Sequence, residues 1–267
     1  MVNVEKPTLV GFSFCIPHPF AYVGLCMQYT PPGTLYLIPV PIALETHHQV
    51  LPGYNTTILH QLTHFLVEDE RTARRCIKQL GHPIPLEHIH LQPLNKHSPV
   101  ADIATYIQPL LSGHDMGILA EAGCPGVADP GAAVVNYAHQ HNIPVVPLVG
   151  PCSILLALMA SGFSGQSFAF HGYLPIDKGA RNKAIQRLEM QALQNQQTQI
   201  CIETPYRNEA LLAAILETCK PTTWLCIGKN ITSPEGWVRS QPIKVWKQHK
   251  PELHQVPAVF LLSSQKL

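Results

Sequence analysis

Charge is scarce in this chain. Only 13% of its 267 residues are Asp, Glu, Lys or Arg, about half the share usual for a globular domain. The two signs nearly cancel, 18 basic residues against 17 acidic, for a formal net charge of +1. Such a balance carries no global footprint for nucleic acid, so a polyanion would have to be met by a local patch. Apolar runs of membrane-spanning length are missing. The N-terminus has some signal-sequence character, but Glu5 falls early in it and Pro17 and Pro19 break its apolar part. A soluble, cytoplasmic protein is the expectation. None of the eight cysteines (Cys15, Cys26, Cys76, Cys124, Cys152, Cys201, Cys219 and Cys226) belongs to a C-x-x-C pair. They are read as reduced, mostly core thiols. The 15 histidines show no H-E-x-x-H spacing, so no metal is expected.

What is present is apolar residues, at 46%, and proline, at 25 residues. The length suits one large domain or two of roughly 100 to 150 residues each. One stretch organises the chain. The apolar run from Gly117 to Ala120 reads as a buried strand, and Gly123, Pro125, Gly126, Asp129, Pro130 and Gly131 crowd into the turn after it. Ala132 to Gln140 then reads as a helix, with Asp129 as its N-cap and Pro130 at its first position. Glycines let a backbone come close to a ligand, and a helix start offers free N–H groups. A plain tight turn of an α/β protein is the bland alternative.

Around that stretch, strands and helices alternate. Thr34 to Ile38 reads as a strand stopped by Pro39-Val40-Pro41, Tyr54 to Gln61 as a helix, and Thr63 to Val67 as a strand. Glu68 to Leu80 is an expected helix with acids in its first turn and Gly81 after its last. A strand over Ile89 to Leu94, a helix over Pro99 to Ser112 and a strand from Pro144 to Val149 follow. This alternation predicts a parallel sheet covered on both faces, with a ligand at its C-terminal edge. Residues 1–32 show neither period and read as a loosely attached extension, so the expected domains are 33–149 and 150–267. In the second, Ile154 to Ser161, Arg181 to Gln197 and Asn208 to Cys219 read as helices. Ser167 to Gly172, Thr198 to Glu203, Thr223 to Ile227 and Val256 to Leu262 read as strands.

Six motifs, in order, resemble those of the ribosomal RNA small subunit methyltransferase I family, within the tetrapyrrole methylase superfamily. Gly33-Thr-Leu-Tyr-Leu-Ile-Pro-Val-Pro-Ile42 is similar to the family's opening strand, and Glu68-Asp69 with Arg71 to its Glu-Asp-Thr-Arg motif. Glu121-Ala-Gly-Cys-Pro-Gly-Val-Ala-Asp-Pro-Gly131 resembles Asp-Ala-Gly-Thr-Pro-x-x-x-Asp-Pro-Gly. Pro147-Leu-Val-Gly-Pro-Cys-Ser153 resembles Pro-Leu-Pro-Gly-Pro-Ser-Ala. Gly172-Tyr-Leu-Pro175 and Glu203-Thr-Pro-Tyr-Arg207 complete the set, which covers about Gly33 to Leu262. The resemblance implies two αβα domains with S-adenosylmethionine in the cleft between them, usually in a homodimer, and methyl transfer to a ribose 2′-hydroxyl of ribosomal RNA.

For the donor, the resemblance points to Pro39, Val40, Glu121, Ala122, Gly123, Val127, Ala128, Asp129, Gly150, Pro151 and Ser153. A neutral thioether leaves in such a transfer, so catalysis is mostly alignment, but a hydroxyl acceptor must also lose its proton. Asp69, Glu68, Lys96 and Glu203 are the candidate bases, each with a solvated or helix-capping charge as its bland alternative. Arg71, Arg74 and Arg75 share one helix face and would grip phosphate, unless Glu68, Asp69 and Glu70 take them up as ion pairs. Asn95, His97 and Arg207 are candidates for the acceptor side. Glu121, Cys124, Cys152, Ser153 and Tyr206 depart from the family pattern, as does Lys229-Asn230-Ile231-Thr232 in place of Arg-Glu-Leu-Thr. The acceptor is therefore less constrained than the donor. A small molecule, a protein side chain, or RNA bound without catalysis stay open beside methylated RNA.

Overall fold

The computed structural model describes residues 30–94, 99 and 102–264, and from Pro31 onward the chain forms one compact unit. Most of the expected extension and the candidates Asn95, Lys96 and His97 lie outside the described residues.

The first half alternates as its pattern predicts. Strand β1 (Leu35–Ile38) leads through helices α1 (His47–Val50) and α2 (Gly53–Leu59) to β2 (His64–Val67), α3 (Glu70–Gln79) and β3 (His90–Pro93). Helices α4 (Ile103–Tyr106) and α5 (Gln108–Leu111) precede β4 (Met116–Leu119), α6 (Gly131–Gln140) and β5 (Val145–Pro147). These strands are all parallel, in the order β3-β2-β4-β1-β5. Strand β4 is buried at every position, as a central strand covered on both faces must be. On one face Ile58, Leu59 and Ile77 of α2 and α3 pack with Phe65 and Leu119. On the other Ile103, Leu110, Val134 and Ala138 of α4, α5 and α6 pack with Leu35 and Ile118.

Two boundaries differ from expectation for identifiable reasons. Helix α3 starts at Glu70 because Asp69 is extended (φ −135°) and its Oδ1 accepts the Thr72 N–H at 2.7 Å. The single helix expected over Pro99 to Ser112 is instead two four-residue helices meeting at Ile107. Pro109, which has no N–H to give, sits in the first turn of the second, where that donor is not needed.

The second half is built differently. Helix α7 (Ser153–Ser161) is followed by β6 (Phe168–Tyr173), α8 (Lys178–Asn195), β7 (Thr198–Ile202), α9 (Asn208–Thr218) and β8 (Trp224–Lys229). Strand β9 (Trp237–Pro242), helix α10 (Ile243–Gln248) and β10 (Ala258–Ser263) close it. Here only β6 and β7 pair in parallel; the remaining pairs in the order β6-β7-β10-β8-β9 are antiparallel. Helix α7 covers one face through Ala157 and Leu158 against Ile200, Cys226 and Leu261. On the opposite face Leu188 of α8 and Leu211 and Ile215 of α9 pack with Leu225 and Phe260. Strand β9 and helix α10 were not legible. The first is an edge strand without alternation, and the second has six residues held by Trp246, buried with its indole N–H on the Leu225 carbonyl at 2.9 Å.

Candidate functional site

Three loops leave the C-terminal ends of β1, β4 and β5, neighbours at the middle and edge of the first sheet, and they hold one another. After β1, the Val40 N–H donates to the Gly123 carbonyl at 2.9 Å and the Gly123 N–H returns to Val40 at 3.1 Å, a one-residue bridge between loops. The thiol of Cys124 donates to the Pro151 carbonyl at 3.4 Å. Gly150 packs so tightly on the Pro39 ring that a Cβ there would lie 2.6 Å from Pro39 Cγ. Gly123 has φ +78°, a left-handed conformation that a side chain disfavours. Next along the same loop, Asp129 Oδ1 accepts the N–H groups of Gly126 (2.6 Å) and Gly131 (2.9 Å). Asp129 thereby serves the start of α6, with Pro130 in the formal cap position. Between them, Ala128 is held at φ +62°, a strained setting for a non-glycine residue.

These loops form one wall of a cleft of about 450 Å³, a size usual for small-molecule sites. The opposite wall comes from the second sheet: Tyr173 at the end of β6, Ile202 and Glu203 at the end of β7, Gly228 on β8, and Pro257 to Val259 leading into β10.

Of the residues expected to hold a donor, Glu121, Ala122, Gly123, Val127, Ala128, Asp129 and Ser153 line this cleft. Pro39, Val40, Gly150 and Pro151 stand behind it as the braces just described. Sequence reasoning missed Thr72, Tyr173 and the second-sheet wall from Gly228 to Val259. Tyr173 lies inside the motif Gly172 to Pro175, so its position was available; the other wall is decided by sheet pairing and left no local signal.

The charged candidates separate into distinct surroundings. Asp69 is exposed, does not line the cleft and is held below the usual carboxylate range by the N–H and hydroxyl of Thr72. Glu203 is nearly buried, and one of its oxygens accepts Arg207 Nη2 at 2.6 Å, Arg207 Nε at 3.0 Å and the Thr204 N–H at 2.7 Å. Arg207 in turn lies over the Tyr206 ring at 5.9 Å. Glu68 lines the cleft and accepts only a long bond from the Glu121 N–H at 3.3 Å. Burial pushes its carboxyl upward, and Asp129, Glu121 and Asp69 add to the rise. Burial likewise raises the Tyr173 phenol, helped by Glu203 and Glu68 from the two walls. Among the arginines of α3, Arg75 lines the cleft, Arg74 pairs with Glu70 at 3.3 Å on the surface, and Arg71 is exposed outside it.

No family model matches the sequence. Among curated proteins, the ribosomal RNA small subunit methyltransferase I of Pseudomonas aeruginosa is 27% identical over 212 residues, 79% of this chain and 71% of its own. Its counterpart in Pasteurella multocida is 28% identical over 200 residues, 75% and 67% of the two chains. Over most of its length the chain is thus similar to this methyltransferase group at 27–28% identity. Solved structures agree on the fold. The methyltransferase CobJ matches the chain with a TM-score of 0.59 at 16% identity, over 89% of this chain and 97% of that one. A uroporphyrin-III-C-methyltransferase from Thermus thermophilus matches with 0.50 at 20% identity, over 87% and 92%. In this chain the cleft wall also carries two thiols, Cys124 and Cys152.

Proposed function

We propose that the enzyme transfers a methyl group from S-adenosylmethionine to RNA, with a ribose 2′-hydroxyl of small-subunit ribosomal RNA as acceptor. The observation that carries this reading is the cleft itself, where interlocked main-chain turns of the first sheet face a carboxylate-rich interior and Arg75 stands at the same cavity. The fit is chemical as well as spatial. A cationic, zwitterionic donor suits a pocket with Glu68, Glu121 and Asp129 along it and exposed Val127 and Ala128 to flank its apolar parts. When bound, S-adenosylmethionine supplies a methyl group on a positively charged sulfur.

The chain's own residues do the rest. The turns at Gly123 to Asp129 and Ser153 align the cleft for an in-line approach, which is where most of the rate would arise. Glu68 takes the hydroxyl proton: of the described acidic candidates it alone lines the cleft without a guanidinium or cap bond, and its raised affinity for a proton suits that task. Glu203 positions Arg207 instead; Arg75 in the cleft lining, and Arg207 beside it on Glu203, meet the phosphates. Asn95, Lys96 and His97 belong to the acceptor side in this reading. The two sheets act as separate domains divided near Gly150, in a cytoplasmic homodimer; among the described residues no helix is long and apolar enough to cross a membrane.

The test is to incubate the protein with methyl-labelled S-adenosylmethionine and either total RNA, small ribosomal subunits, or an extract of small molecules. Label in small-subunit RNA that Arg75→Glu strongly reduces supports the reading. Label only in the small-molecule extract refutes the acceptor, and no calorimetric binding of the donor refutes the cleft.

A further inference from the structure

Cys124 and Cys152 stand apart from the other described cysteines. Cys76, Cys201, Cys219 and Cys226 are buried in the cores, with thiols pushed upward by burial. Cys124 and Cys152 are instead half-buried and both line the cleft, one on the loop after β4 and the other on the loop after β5. The two side chains are neighbours in that lining, and each acts on the charge state of the other. The Cys124 thiol also points at the carbonyls of Pro151 (3.4 Å) and Gly150 (3.8 Å), the two residues before Cys152. Cys152 is the residue before the nine-residue helix α7, so it stands at that helix's N-terminal end.

We propose that Cys124 and Cys152 are a redox-active dithiol which a small-molecule disulfide such as oxidised glutathione converts to a disulfide, stapling the two cleft loops together.

The sulfur environment divides the labour. The neighbouring Cys124 and then the N–H groups at the start of α7 draw the Cys152 thiol downward, so of the two it ionises first. The Cys124 thiol moves the other way, pushed up by the neighbouring Cys152, by partial burial and by Asp129. Cys152 Sγ attacks one sulfur of the glutathione disulfide, forming a mixed disulfide and expelling one glutathione thiolate, which takes up a proton. Capping removes the negative charge beside Cys124. Cys124 then loses its proton to solvent and attacks Cys152 Sγ, expelling the second glutathione. Two protein thiols are oxidised by two electrons and one glutathione disulfide is reduced to two glutathiones. The bond pins Cys124 to the start of α7 between Gly123 and Ser153, so the oxidised cleft accepts ligand poorly. This last consequence rests on the donor reading given above; the thiol chemistry does not.

The experiment treats the full chain with oxidised glutathione, maps peptides without reduction, and measures S-adenosylhomocysteine binding before oxidation, after it, and after dithiothreitol. The expected result is a linked peptide pair containing Cys124 and Cys152, absent in Cys152→Ser and Cys124→Ser, with affinity about tenfold or more weaker and restored by reduction. Iodoacetamide should label Cys152 in the reduced protein well before Cys76 or Cys226. Glutathione retained on Cys152 without the cross-link, or labelling no faster than at the buried cysteines, overturns the dithiol. A cross-link that leaves affinity unchanged overturns the gate. Failure of the reduced protein to bind S-adenosylhomocysteine would instead strike the donor reading, and the peptide map would still decide the thiol pair.

Discussion

Replacing Gly150 with alanine tests the framework of the cleft with a single methyl group. The new Cβ would sit 2.6 Å from Pro39 Cγ, about 1 Å inside ordinary carbon contact. Pro39 is rigid and follows a buried strand, so relief must come from moving the loop before α7 away from the loop after β1. Overpacking of this kind costs about 1–3 kcal/mol, which for a chain of this size lowers the melting temperature by roughly 3–10 °C. The same shift withdraws Ser153 from Gly123, so calorimetric affinity for S-adenosylmethionine should fall along with stability. Gly165→Ala is the control, because nothing lies within 4 Å of its would-be Cβ; it should melt at or slightly above the wild type. If Gly150→Ala melts like Gly165→Ala and binds the donor as the wild type does, the loops are not braced against each other and the argument for the cleft fails.

Asp69→Ala should cost about 1 kcal/mol through loss of the cap on α3. The Asp69 carboxyl is held low in the folded protein, so its contribution is present above the ordinary carboxylate range and fades as pH falls through its folded value. The gap in melting temperature between wild type and variant should therefore close in acid. Glu68→Gln should behave oppositely. Its carboxyl is raised in the folded protein, so stability is lost as pH rises through its range, and the neutral variant should melt higher at neutral pH and equally in acid. The same variant should transfer methyl groups far more slowly, and its residual rate should lack the acidic limb of the wild-type pH profile. Trp246→Phe should cost about 1–3 kcal/mol in denaturant titration, because the buried Leu225 carbonyl loses its indole donor. Arg75→Ala should raise KM for RNA far more than Arg74→Ala, whose exposed pair with Glu70 is worth about 0.5 kcal/mol at most.

Much of the first half was legible because its signals are local. The apolar run into β4, the glycine and proline turn after it, the acidic start of α3 and the proline stop after Ile38 each act within a few residues. The amino-acid sequence by itself determined the alternation that makes a parallel sheet, the placement of glycine where φ is positive, and the motifs that resemble those of the methyltransferase group. The tertiary structure alone decided that β8 and β10 pair antiparallel and that β9 closes the edge. It also decided that Glu203 is spent on Arg207 while Glu68 stays open to the cleft, and that two cysteines distant in the chain share the cleft lining. The reason is one of range. Turn chemistry and periodicity are set by neighbours along the chain, whereas the partner of a carboxylate or a thiol is set by which strand ends the sheet order brings side by side.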